Sequence, residues 1–127
     1  MPDAFPVTIY HNPACGTSGR TLALIRAAGY VPNVVTYLQV GWTHAVLAAI
    51  LAEMGDGPRA ILRDRGTPAA ELGLLAPDIS DAALLDAMVA HPILVNRPIV
   101  RTPLGTRLTR PAELVFDLLA NKPAAFT

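Results

Sequence analysis

Cys15 is the only cysteine in the chain, and it lies within Tyr10-His11-Asn12-Pro13-Ala14-Cys15-Gly16-Thr17-Ser18. A short apolar run, Val7 to Tyr10, leads into a turn, and a helical pattern begins just after the thiol. One sulfur therefore stands where a strand meets a helix N-terminus. Unpaired backbone N–H groups and the positive end of the helix dipole there favour a thiolate over a thiol. A free cysteine is often only a small core hydrophobe, but such a residue belongs inside an apolar stripe, and Cys15 does not. The position predicts a nucleophile.

The neighbours of Cys15 extend that chemistry. Gly16 allows a tight turn and close approach of a ligand to the backbone, and successive N–H groups at the helix start can cradle an anion. Thr17 and Ser18 offer hydroxyls, with simple helix capping as the alternative use. Ser18 stands where a Cys-x-x-Cys pair would carry its second thiol, so an oxidised Cys15 needs an external thiol to resolve it. His11, four residues before Cys15, can bond the sulfur or set its charge, or else only satisfy loop backbone. His44 and His91 have no partner at metal-ligand spacing, and with one cysteine there is no zinc motif, so no metal is expected.

Nine of the ten basic residues are arginine, Lys122 being the one lysine. Arginine's planar fork suits oxyanions and carboxylates better than a lysine point charge, although a GC-rich coding bias accounts for the overall count. Position must therefore carry the argument. Arg97 precedes Pro98, which pushes it toward extended geometry. Arg110 precedes Pro111 at a second junction, and Arg59 and Arg63 are spaced to share a helical face. Taken singly, each arginine reads as a solvated surface charge. Three converging on one thiol would require an anionic substrate to offset their repulsion.

Length and composition bound the molecule that must position these groups. The 127 residues, 52% of them hydrophobic, suit one domain, residues 1–127, with its own core. A formal net charge of +0 provides no global field for nucleic acid or an acidic membrane. No stretch approaches the ~20 apolar residues of a membrane span. The N-terminus lacks a basic region followed by an apolar core, so no secretion signal is expected. With a lone cysteine, these features predict a cytoplasmic protein. Nothing in the chain calls for an obligate dimer, and a monomer is expected.

Along the chain, Val7–Tyr10 reads as a strand and residues 18–28 as a helix ending at Gly29. Val34–Leu38 reads as a second strand. Thr43 caps a helix bearing Leu47, Ile50, Leu51 and Met54, closed by Gly55. Pro58 and Pro68 suit the first turns of two short helices, and Ser80 caps a longer one with Leu84, Leu85, Met88 and Val89. Residues 99–101 and 106–109 form a hairpin around Pro103-Leu104-Gly105. Pro111 opens a final helix with Leu114, Val115, Leu118 and Leu119 on one face, and 121–127 form a loose tail. A βαβ unit followed by a hairpin and a helix outlines an α/β, thioredoxin-like mixed sheet. A helical insertion, about 43–90, separates its two halves and is expected to pack on the sheet edge over Cys15. In such folds the proline after Arg97 is typically cis, which predicts a cis Arg97–Pro98 bond.

Four blocks, His11 to Ser18, Arg59 to Arg63, His91 to Val100 and Thr102 to Leu108 followed by Arg110-Pro111, closely resemble the glutaredoxin-coupled arsenate reductases. The resemblance runs from about Val7 to Leu119. It implies that Cys15 is the nucleophile, that Arg63, Arg97 and Arg110 bind the oxyanion, and that His11 and the Ser18 hydroxyl attend the thiolate. It also implies attack of the thiolate on arsenate, addition of glutathione as co-substrate, and release of arsenite after glutaredoxin takes the glutathione, with no bound cofactor. One departure stands out: the family usually places an arginine and then a small polar residue after this serine, and here the order is Gly19-Arg20. Helix neighbours differ by about 100°, so Arg20 cannot replace that side chain, and it is glutathione or glutaredoxin docking that this affects.

Two relatives of different function share the architecture. A glutathione-dependent thiol/disulfide reductase would keep the cysteine but tends to lose the arginine set, which this chain retains. A redox regulator binding RNA polymerase normally uses Cys-x-x-Cys, which Ser18 precludes.

Overall fold

The computed structural model describes residues 5–122. They form two compact units: one from the chain through Tyr37 together with the chain from Arg97 onward, the other Leu38–Asn96. The insertion read from the sequence falls inside the second unit.

The first unit is built on a four-stranded sheet of β1 (Thr8–Tyr10), β2 (Asn33–Val35), β3 (Ile99–Thr102) and β4 (Gly105–Leu108), in the order β2-β1-β3-β4. β1 pairs parallel to β2 and antiparallel to β3, and β3–β4 is the expected hairpin. Helix α1 (Gly16–Ala27) connects the two parallel strands. This is the expected thioredoxin-like arrangement. Strand alternation sets the core: Val7 and Ile9 point to one side, where they cluster with Leu24 and Ile25 of α1 and Val100 of β3. Ala112, Val115 and Leu118 of the closing helix complete the cluster. Fully burying side chains of this size stabilises the fold by about 1.5–3 kcal/mol each.

Three local readings change in this unit. The second strand stops at Val35 instead of running to Leu38, and Tyr37–Val40 turns into a short helix, α2. Its only sheet neighbour, β1, gives one last bond, His11 N–H to the Val35 carbonyl at 2.8 Å, before Pro13 turns that chain away. The closing segment Ala112–Leu118 is a 3-10 helix, and the buried residues recur every third position (Ala112, Val115, Leu118), matching three residues per turn. The expected tail begins at Asn121, whose N–H, like that of Ala120 just before it, donates to the Tyr30 hydroxyl at 3.1 Å. The rest of that tail, 123–127, lies outside the described residues.

The second unit is helical. α3 (His44–Met54) is capped by the Thr43 hydroxyl, which accepts from Val46 N–H, and ends at Gly55 in left-handed geometry, φ 74°. α4 (Asp81–Ala90) is capped in the same way by Ser80. Leu47, Ile50 and Leu51 of α3 and Leu84 and Met88 of α4 are buried. Pro58 opens a 3-10 turn, Pro58–Ile61, as expected. Pro68 opens only one turn, with Leu72 N–H on its carbonyl at 2.9 Å; Gly73 then adopts φ 74° and stops it. The 3-10 turn also ends before Arg63, so Arg59 and Arg63 do not share a helical face. Arg59 instead donates to the carbonyls of Ala76 and Ile79.

Candidate active site

Cys15 is the N-cap residue of α1, which begins at Gly16, two positions earlier than expected, and its backbone is extended at φ −97° and ψ 122°. Asn12 builds the loop that delivers it. The Asn12 carbonyl accepts from Cys15 N–H at 3.0 Å, and its side-chain oxygen accepts from Ala14 N–H at 2.9 Å. Cys15 as a residue retains 8% of its surface, nearly but not fully buried.

Burial of the sulfur pushes its pKa up. Against that act the Ser18 N–H, a hydrogen bond from Arg110, the charge of Arg97 and the Thr17 N–H, and together they hold it below the usual thiol range. Arg110 Nη1 is 3.7 Å from Cys15 Sγ and also donates to the Arg97 carbonyl at 3.0 Å. Both arginines precede cis prolines, at Arg97–Pro98, as expected, and at Arg110–Pro111, which the sequence did not signal. The charges that favour the thiolate are therefore carried by two Arg–Pro junctions beside the start of a helix.

His11 is placed differently from its expected contact with sulfur. Its Nδ1 lies 2.5 Å from Ser18 Oγ, which also accepts from Asn12 N–H at 3.0 Å. Burial, and secondarily the charge of Arg26, lower the His11 pKa and so favour the neutral ring. Ser18 is completely buried and has two separate roles: its backbone N–H favours the thiolate, while its hydroxyl is engaged by His11 and the loop. Arg63 belongs to the second unit, where its Nε donates to the Arg65 carbonyl at 2.9 Å and its N–H to the Leu94 carbonyl at 2.7 Å. Arg20, from the departing Gly19-Arg20 pair, is held by the Glu113 carboxylate, whose pKa is lowered by that contact.

Sequence reading passed over Asn12, Thr21 and Thr109. The signal for Thr21 was available: it follows Ser18 by three positions, placing a second hydroxyl on the buried face of α1. A cavity of about 820 Å³ opens at the other end of β1, lined by Phe5, Tyr30, Val31, Asn33 and Asn121 among others. It holds no charged side chain and lies away from the sulfur. Among the described residues no cluster of histidine, cysteine or carboxylate could hold a metal ion, and no helix is long and apolar enough to cross a membrane.

A lone thiol at the start of α1, beside a cis-proline junction on a four-stranded mixed sheet, defines a thioredoxin-like protein. The ArsC family matches residues 10–118. The arsenate reductase of Rhizobium meliloti is 59% identical over 115 residues, 91% of this chain and 82% of that protein. The arsenate reductase ArsI2 of Synechocystis sp. is 54% identical over 118 residues, 93% of this chain and 84% of that protein. Among solved structures, the arsenate reductase from Vibrio cholerae superposes with a TM-score of 0.86 at 38% identity, covering 91% of this chain and 98% of that one. The chain belongs to the ArsC family.

Proposed function

We propose that this protein reduces arsenate to arsenite and that Cys15 is its nucleophile. The observation that carries the reading is the Arg110 guanidinium on the sulfur of a lone thiol at a helix N-terminus. A guanidinium in that place favours the thiolate and offers further N–H donors to a tetrahedral oxyanion approaching it. Arg97 adds a second positive charge. Arg63 completes the oxyanion set on family resemblance alone.

The thiolate forms a sulfur–arsenic bond as an arsenate oxygen, after protonation, leaves as water. Glutathione then bonds its sulfur to arsenic as a second arsenate oxygen, after protonation, leaves as water. Attack by a glutaredoxin thiol on the glutathione sulfur joins those two sulfurs as a mixed disulfide and leaves two electrons on arsenic. Hydrolysis of the remaining Cys15–arsenic bond releases arsenite and restores the thiol. Ser18 in place of a second cysteine fits this route, because the chain has no internal partner for an oxidised Cys15. The protein functions as a monomer in the cytoplasm, where glutathione is available.

The test is an arsenite-forming assay on the purified protein. Turnover is expected only when glutathione, glutaredoxin and a source of reductant are all present, and phosphate and sulfate are included as competing oxyanions. Cys15→Ser should be inactive, and turnover by that variant would overturn the nucleophile assignment.

A further inference from the structure

The buried face of α1 carries two hydroxyls where a core-facing helix ordinarily presents hydrocarbon. Ser18 and Thr21 are both fully buried. Ser18 is engaged by His11 and Asn12, but Thr21 plays no part in the chemistry above. Its Oγ1 donates to the Thr17 carbonyl at 2.9 Å and lies 3.3 Å from Oγ1 of Thr109. Thr109 is likewise fully buried and immediately precedes Arg110. Its N–H donates to the Pro98 carbonyl at 3.0 Å, and its hydroxyl lies 3.4 Å from the same oxygen.

A proton count orders this group. Thr21 has one hydroxyl proton and uses it on Thr17, so toward Thr109 it accepts. Thr109 has one proton to share between Thr21 and the Pro98 carbonyl. The chain of contacts thus runs from the Thr17–Ser18 peptide, whose Ser18 N–H favours the thiolate, through Thr21 and Thr109, to both arginine–proline junctions. Valine would fill nearly the same space at either position, so shape alone does not require a hydroxyl.

We propose that Thr21 and Thr109 are positioning residues, whose paired hydroxyls fix the first turn of α1 in register with the Arg97–Pro98 and Arg110–Pro111 junctions. Neither side chain is assigned a contact with substrate. Each acts through groups that do face the sulfur: the Thr17 and Ser18 amides on one side, Arg97 and Arg110 on the other. The functional consequence rests on the reading of Cys15 as nucleophile, but the alignment itself can be measured without arsenate. A charge–charge attraction weakens as separation grows, and a hydrogen bond weakens with its angle as well. Slippage between the helix and the two junctions therefore reduces thiolate stabilisation before the fold is lost.

The experiment uses the single cysteine. The rate of Cys15 alkylation by iodoacetamide is measured against pH for the native protein, T109V, T21V and T109S, each shown to be folded by circular dichroism. T109V and T21V are expected to move the midpoint upward by roughly half to one pH unit, toward the ordinary thiol value. T109S, which keeps the hydroxyl, should retain the native midpoint. In the arsenate assay the valine variants should raise KM several-fold. Native midpoints in both valine variants would overturn the proposal, as would an equal upward shift in T109S, since the hydroxyl would then not be the cause. If T109V does not fold, T21V decides by the same criterion. Absence of arsenate turnover in the native protein would refute the proposed function while leaving the alkylation result standing.

Discussion

The guanidinium of Arg110 donates to the sulfur of Cys15 across 3.7 Å, joining residues 95 positions apart in the chain. The same Nη1 donates to the Arg97 main-chain oxygen, so Arg110 is both a charge on the thiol and a brace for the neighbouring arginine junction. Those two uses separate the expected effects of substitution.

Arg110→Lys keeps a positive charge but loses the rigid planar guanidinium whose Nη1 reaches both sulfur and carbonyl. The Cys15 alkylation midpoint should rise, and arsenate KM should increase on the order of tenfold, equivalent to about 1.4 kcal/mol. Arg97→Lys should leave the hydrogen bond from Arg110 to sulfur in place and act mainly on KM. Steady-state kinetics with phosphate as competitor distinguishes the two.

The lowered thiol pKa also makes stability depend on pH. A group whose folded pKa lies below its unfolded value binds fewer protons in the native state over the interval between the two. Its contribution is therefore complete above the unfolded thiol value of about 8.5 and is lost as pH falls through the lower folded value. Urea midpoints should rise with pH across that window in the native protein. The same increment should be missing from Cys15→Ala, and identical slopes would contradict the charge arrangement.

Ser18→Ala removes the partner of His11 Nδ1 and of the Asn12 N–H, both in buried residues. Leaving such groups unsatisfied costs about 1–3 kcal/mol, readable as a lower urea midpoint. Alkylation of Cys15 should change less, because the Ser18 N–H that favours the thiolate is retained.

Thr43→Ala deletes the hydroxyl that accepts from Val46 N–H at the start of α3. The expected loss is about 1 kcal/mol, in the helical unit. Cys15 alkylation should be unchanged, so this variant serves as a control separating lost stability from a displaced site.

Much of this arrangement was legible in the chain. Thr43 and Gly55 bracket α3 because a hydroxyl cap and a left-handed glycine are local devices that need no tertiary information. The hairpin around Pro103-Leu104-Gly105 was legible for similar reasons, whereas the cis bond after Arg97 was expected only from the thioredoxin-like fold class. What failed depended on partners distant in sequence. Val34–Leu38 has strand character, but a strand lasts only as long as its neighbour, and β1 ends at Tyr10. Leu114, Val115, Leu118 and Leu119 suggested an α-helical stripe; Val115, Leu118 and Leu119 are buried, but Leu114 is not, because the 3-10 helix buries every third residue, Ala112, Val115 and Leu118. At the site, the types and spacing of Cys15, Gly16 and Ser18 announced the thiol. The bond between His11 and Ser18 was hidden because it depends on how the loop folds back, and the contact between Thr21 and Thr109 because it spans 88 positions.

Because Cys15 occupies the N-cap of α1, the Thr17 and Ser18 N–H groups that favour its thiolate are the same donors that a capping oxygen would engage. Serine is among the most favourable residues at such a position, so at acidic pH, where the thiolate no longer contributes to stability, Cys15→Ser should melt at a higher temperature while catalysing nothing. Robustness and reactivity thus compete for a single side-chain atom, and a search for hardier variants would tend to discard the sulfur on which turnover depends.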